Sequence, residues 1–268
     1  MLKEKYQNLK DLLQEMGSVV VAFSGGVDST FLLRVACNVL GKENVLALTA
    51  TSPTYPEYEL EESRELAAEM QVRQIEVESD ELKIPGFSQN DRDRCYHCKK
   101  ELFTICKEKA KELGYKFILD GSNLDDLDDI RPGRKAVEEL EVRSPLLEAE
   151  LTKSDIRLLS RDLNLPTWNK QPFACLSSRF PYGTEITPER LVQVGRCETF
   201  LRHHRVQNYR VRYHGETARI EVAPDEIEKF LDPEFRQDVV TEFKAAGFTY
   251  VSLDLQGYRT GSMNEVMP

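Results

Sequence analysis

The sequence predicts an α/β protein, a parallel sheet with helices on both faces, followed by a smaller C-terminal α+β domain. Strand-like and helix-like segments alternate from residue 18 to about residue 165, and the first strand runs through a glycine-rich turn straight into a helix. Beyond residue 183 the pattern changes to a helix, a hairpin, two helical stretches and a last strand. At 268 residues the chain has room for one large or two modest domains. The expected divisions are a nucleotide-type domain at 1–170, an active-site loop at 171–183, and a C-terminal domain at 184–268 for substrate binding or oligomerisation.

Taken in order, Leu9, Leu12, Leu13 and Met16 recur at helical spacing, without the continuous apolar region of a secretory leader. Strands are expected at 18–23, 45–50, 72–77 and 116–120, with helices from residue 30, at 57–70 and at 99–113. Thr152-Lys153-Ser154-Asp155 fits a capping box ahead of Ile156, Leu158 and Leu159, and Pro166 closes that helix. Thr187-Pro188 opens the next helix, and 209–213 with 218–222 form a hairpin around His214-Gly215. A strand at 250–255 completes the C-terminal domain. With 40% hydrophobic and 31% charged residues the composition is that of a folded globular chain. A net charge of -10 argues against a broad nucleic-acid footprint, so nucleic acid is not an expected partner. No stretch reaches transmembrane length, and a cytoplasmic location without membrane association is expected.

Ser24-Gly25-Gly26-Val27-Asp28-Ser29 lies between the apolar run 18–23 and the helical pattern 30–36. A buried strand, a glycine turn and a helix opening make an anion site, because the glycines admit an oligophosphate close to the backbone and the first-turn amides face it. Ser24 and Ser29 add hydroxyl donors, and Asp28 is either a helix cap or a ligand for a divalent metal. No Lys follows the glycines, so this is not the Walker pattern. The six residues resemble the PP-loop, SGGxDS, of ATP pyrophosphatases with the adenine nucleotide alpha hydrolase-like fold. These enzymes adenylate a substrate and release pyrophosphate. The resemblance implies ATP and Mg2+ as cofactors, with Ser24, Gly25, Gly26, Asp28 and Ser29 in contact with them. In parallel sheets ligands bind at the carboxyl ends of strands, which singles out the loops at 24–28, 51–56 and 120–126. In the last of these, Asp120, Asn123 and Asp126 either orient the nucleotide or metal or are ordinary turn residues.

Cys95-Tyr96-His97-Cys98 is a Cys-x-x-Cys pair expected just ahead of a helix, and Cys175 lies in a polar, proline-bounded loop. Three thiolates leave one coordination position open on a shared metal site. A [4Fe-4S] cluster on Cys95, Cys98 and Cys175 has one iron free for an outside ligand such as hydrosulfide. Zn2+ completed by His97 or water is the alternative occupant, and a redox pair or no function are the remaining readings. Cys37, Cys106 and Cys197 sit in apolar helical surroundings and read as small buried hydrophobes, and His97 as an exposed loop residue. Disulfides are not expected.

Together with SGGVDS, the loop Asp120-Gly121-Ser122-Asn123-Leu124-Asp125-Asp126, the stretch from Asp128 through Arg131 to Arg134, the segment Ala174-Cys175-Leu176-Ser177-Ser178-Arg179-Phe180-Pro181-Tyr182-Gly183 and the hairpin Arg210-Val211-Arg212-Tyr213 make the chain resemble the LarE family along nearly its whole length. LarE proteins are PP-loop sulfur transferases of nickel-pincer nucleotide biosynthesis, which supplies the cofactor of lactate racemase. Their substrate is pyridinium-3,5-biscarboxylic acid mononucleotide, whose carboxylates become thiocarboxylates. One type of member gives up the sulfur of a single cysteine. The other carries three cysteines that bind a [4Fe-4S] cluster, and Cys95, Cys98 and Cys175 match that type. The resemblance implies a sulfide donor and a homo-oligomer.

The chemistry has its own logic. A carboxylate is a poor electrophile because its charge repels nucleophiles and oxide leaves badly, and transfer of AMP to it repairs both faults. The phosphate loop and a metal on Asp28 would stabilise departing pyrophosphate. Arg210 and Arg212 alternate on one strand face and either hold phosphate or carboxylate groups or pair with Glu221 across the hairpin. With the resemblance they join Cys175, Asp28, Ser178, Arg179 and Glu221 as catalytic-site candidates. Arg131 and Arg134 read as solvated charge, Tyr182 as a ring-stacking residue, and Trp168 as a core residue before a stacking one. The competing functions are a tRNA-thiolating PP-loop enzyme, an amidotransferase-type PP-loop enzyme, and a non-catalytic nucleotide- or metal-binding protein.

Overall fold

A computed structural model of the protein describes residues 2–127, 133–172 and 174–259. The chain forms two compact units, Met1–Phe87 with Arg92–Phe173, and Ser88–Asp91 with Ala174–Pro268. The first unit runs α1 (Leu2–Met16), β1 (Val19–Ala22), α2 (Val27–Leu40), β2 (Val45–Thr51), α3 (Glu57–Glu69), β3 (Arg73–Glu78), α4 (Arg94–Leu113), β4 (Phe117–Leu119), α5 (Gly133–Glu139), α6 (Pro145–Glu148) and α7 (Lys153–Asp162).

All four strands are parallel, in the order β3-β2-β1-β4. The central strand β1 reads Val-Val-Val-Ala, as a strand covered on both faces must. Successive side chains divide between two cores with period two. Val19, Val21, Val45 and Ala47 join α1, α2 and α7 on one face. Val20, Leu46, Leu48 and Ile118 join Phe103, Cys106 and Ala110 of α4 on the other. The chain steps outward from β1 to β2 and β3, then returns to the opposite flank of β1 for β4. That reversal makes a topological switch point between the carboxyl ends of β1 and β4, where such sheets hold their ligands.

The expected parallel α/β architecture is present. Helix α4 begins earlier than residue 99, with Asp93 before its first turn and the Tyr96 and His97 amides donating to the Asp93 carbonyl. The Cys-x-x-Cys pair therefore lies inside the first two turns of a helix rather than ahead of it. The capping box of α7 is present, Thr152 and Asp155 each accepting from the other's backbone. Trp168 is not a core residue. It lies in the 3-10 turn Pro166–Asn169 and is 41% exposed.

In the second unit α8 (Pro188–His203) precedes the hairpin β5 (Arg210–His214) and β6 (Thr217–Glu221), then α9 (Pro233–Ala245) and β7 (Tyr250–Leu253). The sheet order is β5-β6-β7, with β5 antiparallel to β6 and β7 parallel to it. Its core gathers Val194, Leu201, Val211, Ile220, Val239 and Phe243, all buried. Among the described residues, no helix is long and apolar enough to cross a membrane.

Candidate functional site

At the switch point the phosphate loop turns from β1 into α2. Gly25 has φ +63, a left-handed conformation that glycine adopts without strain. Gly26, at φ -77, is the N-cap of α2 and gives its first turn no side-chain cap. A side chain at Gly26 would meet only Ser24 Oγ, at 3.4 Å. Ser29 Oγ accepts from the Ser24 amide at 3.3 Å and lies 3.2 Å from Ser24 Oγ, so both hydroxyls sit in the mouth of the turn.

Gly121, leaving β4, lies directly against this turn, and a Cβ there would meet the Ser29 amide at 3.2 Å and Asp28 Cβ at 3.3 Å. Behind it Asp120 is buried and spends its oxygens on Ser122, Ser144 and Lys99, with the Ser144 hydroxyl donating at 2.6 Å and the Lys99 ammonium 3.4 Å away. Asn123 is also buried, its amide nitrogen 3.4 Å from Asp28 Oδ1 and its backbone amide donating to Asp126. The sequence thus foresaw residues that gather: Asp28, Ser29, Asp120, Asn123 and Asp126 form one loop cluster.

Lys153 was missed. It is the first residue of α7, and its ammonium pairs with Asp28 Oδ2. Its backbone amide donates to Asp125 at 2.9 Å, which ties the start of α7 to the loop after β4. The signal was present, because a lysine at the positive end of a helix is electrostatically misplaced unless an anion faces it.

Lys99 follows Cys98 on α4 and reaches Asp120, so the Cys-x-x-Cys end of α4 stands at the carboxyl end of β4. Cys95 and Cys98, three apart on a helix, share a face. Cys95 is exposed and Cys98 half-buried. His97 is half-buried rather than exposed, its ring packed edge-on to Tyr96 at 5.3 Å. A cavity of about 200 Å³ beside this loop is lined by Lys99, Ser122, Asp126, Val137, Ser144 and Leu147. Arg134 pairs with Glu138 on the exposed side of α5, as solvated charge does, and Arg131 lies outside the described residues.

In the second unit Cys175 is a half-buried thiol heading the 3-10 turn Leu176–Arg179. The turn is braced by two buried ion pairs. Arg179 grips Glu198 through two contacts of 2.8 Å while donating to the Ala174 and Cys175 carbonyls and to Ser178 Oγ. Arg212 grips Glu221 at 2.9 and 2.7 Å and donates to the Ser178 carbonyl at 2.9 Å. Burial alone would push the Glu198 carboxyl up, but Arg179, Arg210 and the Val211 amide hold it below the ordinary carboxylate range. The hairpin register sets Arg210 opposite Glu221, while the side-chain pair formed is Arg212 with Glu221. Arg210 lies over the Tyr258 ring at 4.9 Å, and burial together with Arg179 lowers its affinity for a proton. Tyr182 is half-buried in the same segment.

Of the remaining cysteines, Cys106 and Cys197 are buried as expected, whereas Cys37 is half-buried, packed against the edge of the first unit's core. Burial pushes the Cys37 thiol up to about 11 and the Cys106 thiol up to about 12, and raises Cys197 further. Burial keeps these three thiols protonated, while Cys95 is exposed and Cys98 and Cys175 keep partial access to solvent. Cys95 and Cys98 in the first unit and Cys175 in the second are soft sulfur donors, the ligand type that iron–sulfur and zinc groups take. Among the described residues of either unit, no three His, Cys, Asp or Glu side chains gather as a ready ligand group.

A parallel sheet whose first strand opens into SGGVDS at the switch point defines a nucleotide-binding domain of the PP-loop, ATP pyrophosphatase class. A family model described as NAD synthase matches residues 1–104. Pyridinium-3,5-bisthiocarboxylic acid mononucleotide synthase of Lactiplantibacillus plantarum is 38% identical over 99% of this chain and 96% of its own. The uncharacterized protein slr1717 of Synechocystis is 42% identical over 100% of this chain and 99% of its own. The uncharacterized protein MJ0830 of Methanocaldococcus jannaschii is 30% identical over 97% and 94%. The chain belongs to the LarE family.

Proposed function

We propose that the protein is an ATP-dependent sulfur transferase that converts carboxylates of pyridinium-3,5-biscarboxylic acid mononucleotide to thiocarboxylates, in nickel-pincer nucleotide biosynthesis. The observation that carries this reading is the cluster at the switch point, where phosphate loop, Asp28, Lys153 and the loop after β4 meet. It is supported by the likeness to the Lactiplantibacillus synthase over nearly the full length of both chains.

A substrate carboxylate oxygen attacks the α-phosphorus of ATP, the bond to the β-phosphate oxygen breaks, and pyrophosphate leaves. The loop amides and the Ser24 and Ser29 hydroxyls hold the departing phosphates. Asp28 is half-exposed beside them and suits a hard cation such as Mg2+, which supplies charge neutralisation when bound. Lys153, whose ammonium pairs with Asp28 beside the loop, would hold the polyphosphate. Asp120 and Asn123 act through the shape they give the loop, and Lys99 holds the carboxylate end of the substrate in the adjoining cavity. In the second unit Arg210 is the candidate contact for a substrate anion, and Arg179, Arg212 and Glu221 fix the Cys175 turn and Ser178.

In the second step sulfide attacks the acyl carbon, the bond to AMP oxygen breaks, and thiocarboxylate and AMP are released. Cys95, Cys98 and Cys175 would hold a [4Fe-4S] cluster, which supplies an iron with an open coordination position for sulfide.

Incubated with ATP, Mg2+, sulfide and the biscarboxylate mononucleotide, the protein is expected to release AMP and pyrophosphate in equal amounts. Pyrophosphate release dependent on tRNA instead would overturn the substrate assignment. ATP binding with no pyrophosphate release in either case would leave a nucleotide-binding protein. Lys153→Ala is expected to slow pyrophosphate release by about 10- to 100-fold, the usual loss for one charged contact to a transition state. Pyrophosphate exchange kinetics check this, and an unchanged rate would remove Lys153 from the site.

A further inference from the structure

The amides of a phosphate loop serve only if its peptide planes are turned the right way. In a trans peptide the carbonyl and the following N–H point in opposite directions. Two carbonyls of this loop, those of Ser24 and Gly25, precede the amides of Gly25 and Gly26. Both carbonyls are held from behind by side chains. The Tyr55 hydroxyl donates to the Ser24 carbonyl at 2.9 Å. The Lys170 ammonium donates to the Gly25 carbonyl at 3.2 Å.

We propose that Tyr55 and Lys170 are positioning residues of the phosphate loop, whose grip on the Ser24 and Gly25 carbonyls aims the Gly25 and Gly26 amides at the polyphosphate of ATP. This rests on the ATP-binding part of the function proposed above and adds two residues to it.

Lys170 is built for this task and not for touching phosphate. An ammonium has three protons. Here they go to the Gly25 carbonyl, to Glu59 at 2.6 Å and to Glu62 at 2.7 Å, both of α3. The charge is matched on the spot by carboxylates, and no donor is left for a ligand. The side chain is 17% exposed, and Glu59 is 7% exposed, so the contact is sheltered from water. The backbone that carries it is held as well, since Arg157 donates to the Trp168 and Lys170 carbonyls at 2.7 and 2.8 Å. Gly25 itself backs onto α3, where an added Cβ would meet Ser63 Cβ at 3.3 Å. Helix α3 is therefore the rear wall of the loop, and Tyr55 and Lys170 are its two fasteners. Burial, with Glu59 and Glu62 nearby, raises the Tyr55 phenol further above its ordinary value, so it remains a hydrogen-bond donor at any working pH.

Binding of a non-hydrolysable ATP analogue and of AMP to the full-length protein, measured by calorimetry, tests the proposal. Lys170→Met is expected to weaken the analogue by about tenfold or more, as loss of a charged hydrogen bond does, and AMP by much less. Lys170→Arg, which keeps a donor and the charge, is expected to restore most of the difference. Tyr55→Phe removes one hydroxyl and should shift the same ratio in the same direction, and it decides the matter if Lys170→Met does not fold. Analogue affinity unchanged in folded variants, or equal losses for the analogue and AMP, would overturn the positioning role. Failure of the wild type to bind the analogue would instead sink the ATP-binding reading itself.

Discussion

Cys175→Ala abolishes thiocarboxylate formation and leaves substrate-dependent pyrophosphate release measurable: this is the outcome expected if adenylation belongs to the switch-point cluster and sulfur delivery to the accessible thiols. On the proposed function the two half-reactions use different residues. Asp28, Lys153 and the phosphate loop lie in the first unit, whereas Cys175 belongs to the second. Separate assays for pyrophosphate and for thiocarboxylate, with metal content measured on anaerobically prepared protein, check the division. Iron lost together from the Cys95, Cys98 and Cys175 alanine variants supports a cluster on three thiolates. Zinc in place of iron would point to a structural site, and no metal with single-turnover chemistry would point to Cys175 as the consumed sulfur source. Thiolation retained in Cys175→Ala would remove the cluster mechanism and Cys175 as a consumed sulfur source alike. Cys106→Ala serves as the comparison, since burial keeps that thiol protonated and removes it from metal chemistry.

The second large effect is expected on stability. Glu198→Gln leaves the Arg179 guanidinium buried without a counter-charge, and breaking one partner of such a pair costs about 3–5 kcal/mol. The pair is 2% and 3% exposed, so water gives little relief. Urea unfolding followed in the second unit would show the loss, and a midpoint within error of wild type would refute it. The pH dependence has a definite sign. The folded-state pKa of Glu198 is depressed, so its contribution is full above the ordinary carboxylate value and is lost as pH falls through the depressed one. Acid should therefore weaken the wild type more than Glu198→Gln. The double variant Arg179→Met/Glu198→Leu should recover most of the stability, since apolar replacement of a buried pair is often neutral. It should not recover thiolation, because Arg179 also holds the Ala174 and Cys175 carbonyls.

Much of this was legible in the sequence because it is local. The apolar run at β1, the glycine turn and the start of α2 are contiguous, and the capping box of α7 is four consecutive residues. The alternation of strands and helices carried the parallel sheet. What stayed hidden depends on partners far apart in the chain. Lys153 meets Asp28 across 125 positions, and Lys170 meets Gly25 across 145. For Arg212 the sequence offered either an anionic substrate or Glu221 as partner, and the fold forms the Glu221 pair; the partner of Arg179, Glu198 on α8, was not legible. The start of α4 was misplaced because the polar residues 88–94 carry no apolar periodicity, although Asp93 begins a helix there.

Gly26 shows what a binding protein gives up. Its backbone lies in a region open to any amino acid, and the space around it would admit a small side chain. A serine in that place would cap α2 and add a few tenths of a kcal/mol to the resting fold. The glycine leaves that gain unclaimed and keeps the helix unfinished. ATP, on this reading, is the missing cap: the chain reaches its full stability only when occupied, and selection for a sturdier empty protein would be selection against the loaded one.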